Sequence, residues 1–265
     1  MATKSLRTAA TGMYAQQLNI QVIANNISNI NTTGFKKNKA EFQDLMYQKI
    51  PTSTLAQNNI SSPQASNESL QVGSGVKASS TQKIFKQGDL QQTNNSLDLG
   101  IQGEGFFQVR KADGTYAYTR DGSFKISGDG RIVTPSGYTL EPDVSLTDDV
   151  MQINISRDGT VEVQTAGGNS YVLDDIQLAR FINPGGLEAL GDNLYGETES
   201  SGQPIFGTPG LDGFGEIQQG FLESSNVDIV EEMIAMITAQ RAYEINSKTV
   251  KTVEEMMTIT NNLKR

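Results

Sequence analysis

The side chains that most enzymes use as nucleophiles or proton shuttles are absent from this sequence of 265 residues, which contains no His and no Cys. Ser-His-Asp and Cys-His pairs, His proton relays and ordinary zinc sites therefore cannot be built, and disulfides are excluded. We expect no catalytic residue, no cofactor and no metal site. Glycine-rich loops and paired carboxylates are the remaining motifs with possible chemistry.

One glycine-rich stretch, residues 100–105, partly resembles a nucleotide-binding loop. Its sequence, Gly-Ile-Gln-Gly-Glu-Gly, lacks the third glycine of the dinucleotide fingerprint, and no Lys-Ser/Thr pair follows as in a P-loop. The residues after it, Phe106 to Val109, are typical of a strand, whereas a phosphate loop leads into a helix. We therefore expect no phosphate binding here.

Adjacent acidic residues offer a second chemical interpretation, a carboxylate-dependent cell-wall hydrolase. Catalytic carboxylates of glycosidases converge across a cleft at about 5–9.5 Å, whereas sequence neighbours point to different faces of a strand or helix. We interpret the pairs as surface charge and keep the hydrolase as the alternative from a different functional class. The pairs are Asp148-Asp149, Asp174-Asp175, Glu231-Glu232 and Glu254-Glu255.

Asp-Gly dipeptides in the middle of the chain predict turns between antiparallel strands. Three of them are spaced by eight residues and separated by alternating apolar residues, so we expect an antiparallel meander over residues 105–140. A fourth predicts another hairpin. Calcium ligation is the alternative, but the acidic residues lack the spacing of an EF-hand loop. The dipeptides are Asp113-Gly114, Asp121-Gly122, Asp129-Gly130 and Asp158-Gly159.

The N-terminal region has the heptad pattern of a long amphipathic helix between residues 5 and 30. Seven of the eight seam positions are apolar, which is typical of a coiled-coil seam or of a buried helical stripe. Asn and Gly residues at positions 29–34 predict its end. One seam comprises Leu6, Met13, Ile20 and Ile27, and the other comprises Ala9, Gln16, Ile23 and Ile30.

The C-terminal region repeats this pattern. Ser225 and Asp228 have the spacing of a capping box, which predicts a helix from near Asn226 toward Leu263. Its seam comprises Ile229, Met236, Tyr243, Val250 and Met257, with Met233, Ala239 and Val253 at intermediate positions. A second apolar row widens the stripe, so we expect more than one neighbour for this helix. That row comprises Val230, Ile234, Ile237, Ile245, Met256 and Ile259.

Charge is distributed unevenly over the chain, whose formal net charge is -9. Residues 1–40 hold five basic and no acidic residues, whereas residues 41–227 hold 11 basic and 24 acidic ones. The overall acidity argues against nucleic-acid binding, and no stretch is long and apolar enough to insert into a membrane.

The basic N-terminus would also suit a transit peptide. It does not suit a secretory signal, because Gln16, Gln17, Asn19 and Gln21 leave no apolar run of the length that such a signal needs.

These patterns predict an α+β fold in which long terminal helices pair like a coiled coil and enclose a mainly antiparallel β domain. Each helix could instead be an ordinary core helix, but two seams at opposite ends of the chain most simply pair with each other. The expected boundaries are an N-terminal helix in residues 1–40, an extended arm and linker in 41–90, a β domain in 91–224 and a C-terminal helix in 225–265.

Several motifs together resemble the signatures of the bacterial flagellar rod and hook protein family, and the resemblance covers essentially the whole chain. They are Thr11 to Gln17, Ala24 to Asn29, Asn31 to Lys36, Gly88 to Val109, Tyr118 to Phe124, Gly191 to Tyr195, Ser225 to Val227 and Gln240 to Asn246. Because residues 25–26 and 33–35 belong to these motifs, the transit-peptide interpretation is abandoned. The chain length and the long polar segment after Gln48 look most like the distal rod members.

The resemblance implies a non-enzymatic subunit that polymerises helically with itself into the rigid flagellar drive shaft. Implied partners are proximal rod proteins, the hook protein, the peptidoglycan and outer-membrane ring proteins, and the flagellar type III export apparatus, which exports subunits uncleaved. The implied location is the basal body, spanning the periplasm. A proximal rod or hook-like paralogue remains the alternative within the family. Subunit contacts are assigned to Leu6, Met13, Ile20, Ile23, Ile27, Ile30, Met233, Met236, Tyr243, Val250 and Met257.

Overall fold

The computed structural model describes residues 2–51, 69–146, 150–165 and 170–263 and has a long helix at each end of a β-rich chain. The helices are α1 (Ala2–Ser28) and α2 (Ile229–Leu263), and a 3-10 turn lies at Pro184–Gly186. Two terminal helices and a mostly antiparallel β region confirm the predicted α+β class. Their coiled-coil pairing and the extended arm remain predictions, and residues 52–68 of the arm lie outside the described residues.

Twenty strands lie between the helices in the part of the chain described above. In chain order they are β1 (Asn38–Asp44), β2 (Gln48–Pro51), β3 (Ser69–Val72), β4 (Val76–Lys83), β5 (Leu90–Gln92), β6 (Leu99–Gln102), β7 (Phe106–Arg110), β8 (Tyr116–Thr119), β9 (Lys125–Ile126), β10 (Ile132–Val133), β11 (Thr139–Glu141), β12 (Val150–Ile155), β13 (Thr160–Thr165), β14 (Ser170–Asp175), β15 (Leu178–Arg180), β16 (Glu188–Gly191), β17 (Leu194–Gly196), β18 (Ile205–Gly207), β19 (Glu216–Gln219) and β20 (Phe221–Glu223).

The helix α2 begins three residues later than the capping-box spacing predicts. The hydroxyl Oγ of Ser225 accepts a hydrogen bond from the amide of Val227 at 3.4 Å, before the first helical residue. The side chain of Asn226, the predicted start, is occupied by backbone groups of other segments. The predicted start near Asn226 is therefore wrong, because these hydrogen bonds hold residues 225–227 outside the helix. As predicted, the helix runs to Leu263, the last residue that the structure describes.

The chain forms two compact units, and each is described by itself. The first comprises Met1–Ala24, Lys39–Thr81 and Val230–Arg265, and the second comprises Asn25–Asn38 and Gln82–Ile229. In the first, β1 pairs with β4 and β2 pairs antiparallel with β3. A methyl group added to Gly12 would lie 3.0 Å from Nδ2 of Asn246, so α1 and α2 approach each other closely there.

The second unit is built around a nine-stranded sheet with a core of apolar side chains. Its main path runs β16-β17-β8-β7-β11-β10-β9, with β15 bridging β7 and β18. The turns at Asp113-Gly114 and Asp129-Gly130 connect β7 to β8 and β9 to β10, as the dipeptides predict. The hairpin of β12 and β13 around Asp158-Gly159 is likewise confirmed.

The predicted simple meander over residues 105–140 is wrong at its middle turn. The strands β8 and β9 flank Asp121-Gly122 but do not pair, because β8 pairs with β7 on one side and with β17 on the other. Gly122 instead meets the strand before the meander: its carbonyl accepts a hydrogen bond from the amide of Leu99 at 3.0 Å. A Cβ at this position would lie 1.7 Å from the carbonyl oxygen of Leu99, so the glycine serves a close backbone approach.

Candidate functional site

A fully buried carboxylate, Glu223, lies at the centre of a polar cluster in the second unit. Its Oε1 accepts hydrogen bonds from Nζ of Lys36 at 2.6 Å and from the amide of Gly88 at 2.9 Å. Its Oε2 accepts one from Nη1 of Arg120 at 3.3 Å. Because neither the Lys36 nor the Glu223 side chain has exposed surface, the carboxylate cannot meet a substrate, and the cluster has a structural role.

Lys36 and Arg120 share this single carboxylate, and burial is the main cause of the pKa shift of each cation. Burial lowers the pKa of the Lys36 ammonium, with the attraction of Glu223 opposing the shift and the charge of Arg120 adding to it. Burial also lowers the pKa of the Arg120 guanidinium, against the attraction of Glu223. The carbonyl of Lys86 accepts a further hydrogen bond from Lys36 Nζ at 2.8 Å, and that of Gly103 accepts one from Arg120 Nη2 at 2.7 Å. Removal of the carboxylate would leave both cations buried without their counterion.

The residues around this cluster fix the chain segments that follow α1 and precede α2. The amide of Gly34 donates to the carbonyl of Glu223 at 2.8 Å, and the amide of Lys37 donates to Oδ1 of Asn226 at 2.7 Å. The Asn226 amide group donates to the carbonyls of Ile84 and Lys86 at 2.8 and 2.9 Å. We call this arrangement the junction, defined by Gly34, Lys36, Arg120, Glu223 and Asn226.

Gly34 has a backbone conformation and a packing environment that only glycine satisfies. Its φ is +66°, in the left-handed region. A Cβ there would lie 2.8 Å from the backbone carbon of Arg120 and from the backbone nitrogen of Asp121. Asn193 closes the same side by donating to the carbonyl of Thr33 at 3.2 Å and to Oδ2 of Asp121 at 3.3 Å. Several of the family-like motifs therefore meet at the junction, since residues 31–36, 118–124, 191–195 and 225–227 all contribute to it.

In the first unit, α2 has one side that is mostly buried and, roughly opposite to it, an exposed side that carries apolar residues. We call one set, spaced by seven residues, the inner row: Glu232, Ala239, Asn246 and Val253, of which all but the half-buried Asn246 are buried. Ile237 lies two positions from Ala239 and therefore about 200° around the helix. It belongs to the six residues of the second apolar row predicted above, which we call the outer row, and these are 54–65% exposed.

The predicted subunit-contact residues of α2 mostly lie beside the inner row. Met236, Val250 and Met257 are half-buried, and Tyr243 is 39% exposed. Each lies four positions after an inner-row residue and thus on the same side of the helix. Met233 is 54% exposed and lies apart from them, toward the outer row.

The predicted contact residues of α1 are covered to different degrees. Ile23 is buried, whereas Leu6, Met13, Ile20 and Ile27 are half-buried. Ile30, predicted as part of the same helix, lies in the turn after the end of α1 and is also half-buried. Residues with small side chains, Ala9 and Ala15, are also buried on this helix. Tyr14 is 65% exposed and belongs to neither predicted seam. The structure thus gives α1 one shielded side without fixing which residues meet another subunit.

Sequence reasoning missed the role of the junction residues. The sequence places Lys36, Arg120 and Asn226 within family-like motifs but predicts no contact between them, and none of these motifs includes Glu223. One signal is present: Glu223 directly follows the apolar pair Phe221-Leu222. A charged residue in a short apolar strand indicates a buried partner of opposite charge.

The described residues show neither a metal-binding cluster of three or more acidic side chains nor a helix that is long and apolar enough to cross a membrane. The exposed apolar face of the terminal helix α2 indicates a surface that contacts another protein. Monomeric proteins rarely leave such a face exposed.

Comparison with known proteins identifies the class. Residues 6–36 match the model of the flagella basal body rod protein, residues 100–163 match that of the flagellar hook protein FlgE/F/G D1 domain, and residues 218–263 match that of the flagellar basal body rod FlgEFG protein C-terminal region. These matches include both terminal helices and part of the β unit.

Relatives that match over almost the whole chain show which family within this class the protein belongs to. The chain is 51% identical over 266 residues to the flagellar basal-body rod protein FlgG of Borreliella burgdorferi, covering 99% of both chains. It is 46% identical to FlgG of Caulobacter vibrioides, covering 98% of this chain and 99% of the relative. The protein belongs to the FlgG family of flagellar basal-body rod proteins. A flagellar hook-basal body complex protein of Bacillus subtilis, FlhP, is more distant at 28% identity.

Proposed function

We propose that the protein is a non-enzymatic structural subunit of the flagellar distal rod, which polymerises helically with itself into a rigid shaft. The outer row of α2 carries this proposal, because its six apolar side chains are more than half exposed. Full burial of one such side chain contributes about 1.5–3 kcal/mol. Contact with further subunits would bury this surface.

The length of the outer row favours a contact with helices over a contact with a small ligand. It extends from Val230 to Ile259, which corresponds to about 44 Å at 1.5 Å per residue. The inner row on the opposite face packs within the first unit. A helix with two such faces suits a polymer core in which each helix has several helical neighbours. We therefore propose that residues 1–40 and 225–265 form the core of the shaft by coiled-coil-like pairing.

The remaining regions receive roles consistent with this arrangement. We propose that residues 91–224 form a β domain held rigid by the junction and that residues 41–90 form an arm and linker. Proximal rod subunits, the hook protein, the peptidoglycan and outer-membrane ring proteins and the type III export apparatus are the proposed partners. The shaft would transmit torque to the hook across the periplasm.

The arm is proposed to stiffen the polymer. Within residues 41–90, the segment proposed to stiffen the polymer is 48–69, which begins in β2 and ends at the start of its partner strand β3. Its polar residues could bridge neighbouring subunits through hydrogen bonds of about 1 kcal/mol each. Deletion of residues 51–65 should then give rods that assemble but bend, as seen in electron micrographs of basal bodies. Straight, rigid rods from this variant would make the arm a passive linker.

The proposed location in the distal rod is tested by inserting an epitope tag into a turn of the protein. An epitope inserted at Gly114, where an added Cβ would meet nothing within 4 Å, should leave the fold intact. Gold-labelled antibody should then bind the distal rod of isolated basal bodies after the rings are stripped. Label on the hook or on the proximal rod would identify a paralogue with another location.

Catalysis is tested separately. Incubation of the purified protein with peptidoglycan should release no soluble fragments, because acidic residues adjacent in sequence point to different faces of a strand or helix and do not converge as a catalytic pair. Release of fragments that depends on the protein would revive the hydrolase alternative.

A further inference from the structure

Methionine side chains are concentrated on α2, and two of them are exposed. The chain has eight methionines, and those on this helix are Met233, Met236, Met256 and Met257. Met233 and Met256 are each 54% exposed, whereas Met236 and Met257 are half-buried. Two thioether side chains on this helix are therefore accessible to solvent.

The two exposed methionines lie on the apolar surface that the proposed rod would bury. Met256 belongs to the outer row, three positions before Ile259, and Met233 lies four positions before Ile237. Residues with this spacing share one side of a helix, and the two isoleucines are 56% and 60% exposed. A chemical change at either sulfur would therefore alter the polarity of this surface.

We propose that Met233 and Met256 form an oxidation-sensitive site at which a hydroperoxide controls the entry of the subunit into the rod. A thioether sulfur takes one oxygen of the hydroperoxide, the O–O bond breaks, and water or an alcohol leaves. The sulfur loses two electrons and the peroxide gains them, so the product is a methionine sulfoxide. This inference rests on the proposed rod assembly and adds a modification site to it.

The composition of the chain directs an oxidant to its methionines. Because the sequence has no Cys and no Trp, neither a thiol nor an indole competes with the thioethers for the peroxide. Oxidation follows exposure, so Met233 and Met256 should react before the half-buried Met236 and Met257. Met46, which is 88% exposed, should also react, but it lies between β1 and β2 and not on α2.

A sulfoxide on α2 should act on assembly and not on the fold of the free subunit. In the free subunit, both exposed side chains can keep the new oxygen hydrated. In the rod, the oxygen would have to leave water without a partner, which disfavours contact. Burial in the rod should in turn protect the sulfur atoms, and a methionine sulfoxide reductase can reverse the change in free subunits.

Peptide mass spectrometry tests where the oxygen is added. Purified subunits and isolated basal bodies, which contain assembled rods, are treated with the same concentration of hydrogen peroxide. In free subunits, Met233 and Met256 should gain oxygen before Met236 and Met257. In rods, the reaction at the first two positions should be about tenfold slower or more, because contact removes them from solvent. Equal rates in rods and free subunits, or earlier oxidation of the half-buried pair, would overturn the proposal.

Rod counts after peroxide treatment test the consequence. The host lacks its own rod subunit and its periplasmic methionine sulfoxide reductases, and it receives hydrogen peroxide while flagella assemble. With the wild type we expect about tenfold fewer rods per cell, the effect of about 1.4 kcal/mol for a buried polar group without a partner. The double variant Met233→Leu/Met256→Leu keeps the apolar volume and should keep its rods. Met46→Leu is the matched control and should lose rods as the wild type does.

The outcomes separate this proposal from the proposed function. An equal loss of rods in the wild type and the double variant, or rescue by Met46→Leu, would overturn the assignment of Met233 and Met256 and leave the proposed function intact. If the double variant does not assemble without peroxide, the two single variants replace it, and each should lose fewer rods than the wild type. Absence of the unaltered protein from the rods of untreated cells would instead refute the proposed function.

Discussion

The ammonium of Lys36 lies 2.6 Å from Oε1 of Glu223, although 187 residues separate them in the chain. This contact fixes the segment that follows α1 against β20, and Arg120 binds the other oxygen of the same carboxylate. Glu223 thus connects three distant parts of the sequence. The stability of the second unit should depend more on the carboxylate than on either cation.

Glu223→Gln should destabilise the protein more than Lys36→Met. The first change leaves two buried cations without a counterion, which costs about 3–5 kcal/mol. The second leaves Glu223 paired with Arg120 and replaces the lysine with a flexible apolar side chain, so we expect a cost of about 1–3 kcal/mol. Urea unfolding followed by circular dichroism measures both. An equal or larger loss for Lys36→Met would contradict the assignment of Glu223 as the centre.

The junction should also give an alkaline pH dependence that Lys36→Met removes. Burial lowers the pKa of Lys36 below its ordinary value of 10.5, so the folded state releases this proton before the unfolded state does. Between the two pKa values the unfolded state holds more protons, and the contribution of Lys36 to stability rises with pH. Below both values this contribution is constant.

The measurement for this pH effect is the difference in unfolding free energy between the wild type and Lys36→Met. It should shift in favour of the wild type as the pH rises toward 10.5. A difference that stays constant or falls over that interval would show that burial does not control the charge of Lys36.

Gly34→Ala should cost more stability than Gly114→Ala, although both glycines have positive φ values of 66° and 82°. The left-handed conformation alone costs a non-glycine residue about 1–2 kcal/mol. A Cβ at Gly34 would also press against backbone atoms of Arg120 and Asp121 at 2.8 Å, whereas Gly114 has nothing within 4 Å. Urea midpoints of the two variants test this difference, and similar midpoints would mean that the backbone at the junction relaxes easily.

Ile237→Asp should abolish rod assembly while leaving the unfolding free energy of the monomer within about 0.5 kcal/mol of the wild type. Ile237 is 56% exposed, so the charge stays hydrated until another subunit covers it. Gln240→Asp, at an exposed polar position outside the outer row, is the control and should assemble. Electron microscopy of basal bodies and swimming assays give the readout. Normal swimming with Ile237→Asp would remove the outer row from the polymer core.

The sequence predicted well those features that depend on local periodicity. The heptad pattern predicts α1 and α2, and Asp113-Gly114, Asp129-Gly130 and Asp158-Gly159 predict real hairpins because each turn fixes its neighbouring strands. Asp121-Gly122 has the same composition and forms no hairpin. Its glycine is needed beside the carbonyl of Leu99, a long-range contact that no local pattern reveals.

In the candidate site, too, features that depend on local spacing could be predicted from the sequence, and features that depend on long-range contacts could not. The outer row is visible in the sequence as a repeat along α2, because residue spacing determines which side chains share one face of a helix. The junction was not, because the pairing of Lys36 with Glu223 depends on how distant segments fold together. The displaced start of α2 has a related cause, since the side chain of Asn226 binds distant carbonyls and residues 225–227 stay outside the helix.

The outer row of α2, which stays exposed while the inner row is buried within its own unit, has a consequence for how long the proposed polymer grows. A subunit that docks through surfaces of different kinds covers one surface and presents another, as in any head-to-tail contact that does not close into a ring. Growth then has no internal stopping point, because every added copy recreates the acceptor that it consumed. The final length of such a shaft must be set by something outside this chain, such as a cap, a barrier or a limited supply of subunits.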